Sequence, residues 1–118
     1  MANELLHRPP VSIARMTTVD AARREWADGY RRFVREAADP KRAEALHGQF
    51  AVVTDELRRR VGGVFTLAEL ANAYDDAESW ILTVVGERAP SGGWARTASL
   101  AADAAFYAYS RSAQDYVP

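Results

Sequence analysis

Apolar residues recur at steps of three and four through most of this chain, and the clearest run lies between Thr66 and Arg88. Leu67, Leu70, Ala71, Tyr74, Ala77, Ile81, Val84 and Val85 keep the period of a helix, not of a strand. The run opens on Thr66 and Glu69, a T-x-x-E pattern whose hydroxyl and carboxylate can each satisfy a backbone N–H. Phe65 stands where a hydrophobic staple falls, and Gly86 and Pro90 mark the stop. A stripe of this length is buried only if other helices pack on it. The pattern therefore predicts that this segment is the organising element and that the flanking segments cover it.

Three more helices are predicted around it. The first spans about Val19–Ala38, capped by Thr17 or Thr18, with Val19, Ala22, Trp26, Tyr30, Phe33, Val34 and Ala37 as its stripe. Arg23, Arg24, Arg31, Arg32 and Arg35 occupy the other side. Gly29 weakens that helix locally and suits a close crossing beside Trp26 and Phe33. The second starts at Asp39-Pro40, a cap followed by a residue suited to the first turn, and ends at Gly62-Gly63. Its stripe is Leu46, Phe50, Val53, Leu57 and Val61, and Arg58, Arg59 and Arg60 crowd its last turn, where cations complement the helix dipole. The last helix covers about Thr97–Asp115, with Leu100, Ala101, Ala104, Tyr107, Ala108 and Arg111 on one side and Phe106 and Tyr109 partly on others. Ser91, Gly92 and Gly93 form the joint before it. Residues 1–16 carry Pro9-Pro10 and no helical period, so they read as an extended or flexible arm ahead of a single helical domain over 17–118. The fold class expected is all-α, a compact four-helix bundle-like domain.

Composition narrows the function classes. Cysteine is absent, which removes disulfides, thiolate nucleophiles and cysteine metal sites. No apolar run is long enough for a membrane span, and the N-terminus lacks a signal-peptide core, so the expected compartment is the cytoplasm. Net charge is −1, which disfavours bulk nucleic-acid binding. Its distribution is uneven: residues 1–62 hold 12 Lys/Arg against 9 Asp/Glu, and residues 63–118 hold 3 against 7. Either the halves neutralise each other on folding, or a basic face is offered to an acidic partner. Of the 15 cationic residues only Lys41 is lysine, a mark of a GC-rich genome. In RVGGVFTLAELANAYDDAESW and the closing YSRSAQDYVP the chain resembles small uncharacterised helical proteins of GC-rich, actinobacterial-type genomes. That resemblance implies a helical fold and no particular activity.

Four constellations could carry chemistry. Ala71, Asp75 and Ile81 fall at helix-turn-helix positions, which makes residues 66–88 a degenerate motif of that kind and a nucleic-acid-binding regulator the alternative reading. Against it, Asp75 replaces the turn glycine, and Glu78 puts an acid on a reading helix that has no basic residue before Arg88. Glu44 and His47 form a Glu-x-x-His pair as in di-iron bundles, but the other histidine is His7 in the arm, so no metal or cofactor is assigned. Asp75, Asp76 and Glu78 point in different directions on a helix and read as a solvated acidic face. The aromatics Trp26, Tyr30, Trp80, Trp94, Tyr107, Tyr109 and Tyr116 serve either as core or, with arginine, as interface anchors. Ser79 and Ser91 lack a nucleophile-elbow frame, and no glycine-rich loop ends in Lys-Ser/Thr. The expectation is a non-enzymatic protein-binding regulator or assembly factor, self-association included. Its partner surface would be Arg24, Arg31 and Arg35, the Arg58, Arg59 and Arg60 cluster, Trp94 and Tyr116.

Overall fold

The computed structural model describes residues 19–88 and 95–112. The arm at 1–16, Trp94 and Tyr116 lie outside the described residues. Four helices are formed among those described: α1 (Val19–Ala37), α2 (Pro40–Val61), α3 (Leu67–Arg88) and α4 (Ala95–Ser112). They pack together as a compact all-α, four-helix bundle-like domain.

The helix boundaries follow local chemistry. Asp39 takes an extended conformation and its carboxylate accepts from the Lys41 N–H at 3.0 Å, with Pro40 in the first turn of α2. At the other end Gly62 adopts φ +91° and its N–H donates to the Arg58 carbonyl at 3.1 Å. That conformation is strained for any side chain with a Cβ. The box at the start of α3 closes in both directions. The Thr66 N–H donates to Glu69 Oε1 at 2.9 Å, and the Glu69 N–H donates to Thr66 Oγ1 at 3.1 Å. Phe65 is buried just before it and stacks on Tyr109 with ring centroids 5.4 Å apart.

The element most enclosed is α4, not α3. Ala98, Leu100, Ala101, Ala102, Ala104, Ala105, Phe106 and Tyr109 are all buried, around most of the circumference of α4. Alanine allows three neighbours to approach at once. Trp26 of α1 and Tyr74 of α3 both meet Phe106, at 5.8 and 4.9 Å between ring centroids. The Tyr109 hydroxyl donates to the Thr54 carbonyl of α2 at 3.2 Å. So Phe106 and Tyr109, which lie on other faces of the helix than Leu100 and Ala104, also belong to the core. Tyr30 and Val34 depart the opposite way: they are 37% and 50% exposed although they continue the apolar stripe of α1. The reason is geometric. Gly29 faces α4 so closely that a Cβ there would stand 2.0 Å from the Cβ of Asp103, and this tight crossing turns Tyr30 and Val34 outward.

Asp103 is the polar centre of that crossing. It is 8% exposed, accepts from the Tyr74 hydroxyl at 2.8 Å and faces Arg32 Nη2 at 3.4 Å. One carboxylate thereby ties α1 and α3 to α4 inside an otherwise apolar contact. A buried carboxylate is tolerated only with such partners.

Candidate functional site

Two open grooves lie on the described surface. The first has a volume of about 370 Å³ and runs along the end of α2 and the face of α3, between Arg60, Val61, Val64, Glu69, Asp76 and Trp80. Its cation is already engaged. The Arg60 guanidinium lies 4.6 Å over the Trp80 ring, and its Nε donates to Glu56 at 2.7 Å. Glu56 is itself 3% exposed and also accepts from Arg59 at 2.5 Å. Arg58 completes the set by pairing with Asp55 at 3.0 Å. The Arg58, Arg59 and Arg60 cluster expected to meet a partner is therefore satisfied within its own helix.

Glu56 makes that cluster sensitive to acid. The hydrogen bond from Arg59 foremost, with Arg60 beside it, holds the Glu56 carboxyl below the ordinary carboxylate range, against desolvation, which pushes it up. A folded-state value below the unfolded one means the stabilisation is complete above the unfolded glutamate value of about 4.3 and is lost as pH falls through the folded value. In thermal melts taken on acidification below about pH 4.3, Glu56→Gln should lose less stability than the parent. Parallel losses in the two proteins would show that the pair contributes nothing to acid sensitivity.

The second groove, about 300 Å³, lies between α1 and α4 and is lined by Asp20, Arg23, Arg24, Ala27 and Tyr107. Tyr107 packs against Tyr30 with ring centroids 5.1 Å apart. Arg111 rises from the same wall: its Nη1 donates to the Tyr107 hydroxyl at 3.3 Å. Arg23 faces Asp20 at 3.7 Å. Arg24 is exposed and meets no carboxylate among the described residues. Further along the same stripe, Arg31 is paired with Asp28, whereas Arg35 meets none. Of the three arginines expected on this face, the structure thus leaves Arg24 and Arg35 available, on one stripe with Arg31.

Folding pairs charges both within the front half and across to the back half. The pairs Asp20–Arg23, Asp28–Arg31, Glu36–Arg42, Asp55–Arg58 and Glu56–Arg59/Arg60 all stay within the front half, while Arg32–Asp103 crosses to the back half.

The other constellations are placed as follows. Glu44 and His47 are both exposed, and the His47 ring meets Phe33 edge-on at 5.8 Å. Among the described residues no three His, Asp or Glu side chains gather as a metal site requires. Helix α3 runs unbroken through Asp75 and Asp76, so a helix-turn-helix at 66–88 has no turn. Trp26, Trp80 and Tyr109 are buried and Tyr107 is half-buried, which leaves Tyr30 as the exposed aromatic of the described part. No described helix is long and apolar enough to cross a membrane. Tyr30 and Tyr107 were legible in the sequence as aromatics on helical stripes, but their meeting across α1 and α4 was not. Comparison of the chain with protein-family models, with curated proteins and with solved structures gives no match.

Proposed function

We propose that this chain is a non-enzymatic binding protein, a small regulator or assembly factor, that receives an acidic protein partner on the outer face of α1. One observation carries the reading. Exposed Tyr30 and Val34 lie on the same helix as Arg24 and Arg35, two cations that no described carboxylate neutralises. Aromatic and arginine side chains are what interface hot spots are made of. Cations left unpaired on a partner face steer an acidic protein into place.

Charge reversal at both free positions, Arg24→Glu with Arg35→Glu, should abolish recovery of the partner in affinity capture from the native cell lysate. Far-UV circular dichroism should stay at the parent value, because both side chains are exposed. Recovery of the same partner at the parent level would reject the α1 face.

A further inference from the structure

We infer that the groove between α1 and α4 seats one aromatic side chain of the partner, with acidic residues flanking it in the partner's sequence. This rests on the reading of α1 as the partner face and names what that face selects. Size is the first argument. At about 300 Å³ the groove is at the small end of ligand pockets, which suits a single side chain rather than a cofactor. Chemistry is the second. The lining combines the Ala27 methyl, the Tyr107 ring and the guanidinium groups of Arg23 and Arg24. Phenol rings and guanidinium planes both stack on a flat ring. Arg24 meets no carboxylate among the described residues, and Arg111 lies beside the lining residue Tyr107, its guanidinium carbon 5.9 Å from the ring centroid. The flanks of the incoming residue therefore meet cations, with Asp20 as the one anion of the lining.

A stacked nucleobase would use similar groups, but its phosphates would not be accommodated. Along α1 the arginines alternate with Asp20, Glu25, Asp28 and Glu36. A polyanion laid on that helix meets four acids along its length, whereas a peptide with one anchor and a few carboxylates is met by Arg24 and Arg111.

The test is titration of the full chain, followed by heteronuclear NMR, with a synthetic peptide of one phenylalanine between two runs of glutamate. The expected result is chemical-shift change centred on Ala27, Tyr30 and Tyr107. The affinity should fall by about tenfold or more when the phenylalanine is replaced by alanine, or when the protein carries Arg24→Glu. Ala27→Leu fills the groove floor without altering charge and should weaken the same peptide. It provides a second variant should Arg24→Glu perturb folding. Equal binding of the phenylalanine and alanine peptides, no binding at all, or shifts centred on the Trp80 groove would each overturn the inference. So would tighter binding of a thymidine oligonucleotide, or peptide-free, concentration-dependent broadening at Ala27 and Tyr107, which would assign the groove to nucleic acid or to a second copy. If capture is lost with the double charge reversal yet the peptide does not bind, the α1 face stands and the aromatic seat falls. If capture is unaffected, the α1 face itself falls.

Discussion

Trp26→Ala should cost about 3–5 kcal/mol of unfolding free energy, the range for removing a fully buried tryptophan. Against a typical total of about 5–15 kcal/mol, that is enough to leave the variant marginally folded. Trp26 is wholly buried and touches the rings of Tyr74 at 5.6 Å and Phe106 at 5.8 Å, so it joins α1 to α3 and α4 at one point. The two rings belong to separate helices and cannot close over the vacancy without moving those helices. Its indole N–H meets no hydrogen-bond acceptor among the described residues. Trp26→Phe should therefore lose much less than Trp26→Ala, because it keeps most of the packing and removes an orphaned donor. Urea denaturation of the two variants measures both. A loss below about 1 kcal/mol for Trp26→Ala, the order of an ordinary point substitution, would mean that this junction is not the centre of the core.

Gly29→Ala should destabilise by about 1–3 kcal/mol, the usual penalty for overfilling a packed contact. The sign is the informative part. In an exposed helix the same change is worth about 1 kcal/mol in favour of alanine. Here the added carbon would fall 2.0 Å from Asp103 Cβ, which is set by the backbone of α4 and cannot swing away. Gly48 in α2 is the internal control, since a Cβ there meets nothing within 4 Å. Gly48→Ala should stabilise by about 1 kcal/mol. Thermal melts showing both variants stabilised would mean that α1 and α4 can part freely, and that Asp103 is not clamped between them.

The helix ends were legible because each is set by neighbours in sequence. Asp39-Pro40, Gly62 and the Thr66/Glu69 box need no tertiary information, and each forms as its residue types require. Which helix lies at the centre was not legible. α3 has a clean stripe because one of its sides faces water. α4 carries a helical period too, so period alone does not rank the two, and most of its buried positions are alanine. Its small residues further disguise it, since alanine is as much at home on a surface as in a close contact. The placement of Tyr30 and Val34 was lost for a related reason: the stripe shows which residues are apolar, not that Gly29 rotates the contact away from them. The ion pairs that satisfy Arg31, Arg58 and Arg59 were present in the sequence as acids three residues earlier. The groove at Tyr107 was not, because it depends on two helices nearly 80 positions apart coming together.

The enclosed position of α4 bears on how the chain matures. A nascent chain grows at ~5–20 residues per second. When α1, α2 and α3 have been made, the faces of Trp26, Phe65 and Tyr74 still lack the helix that covers them. These greasy surfaces stay open to chaperones, or to wrong neighbours, for the seconds it takes to synthesise residues 95–112. Assembly is thus timed by α4, and a chain halted before Ala98 holds three helices with nothing to wrap around.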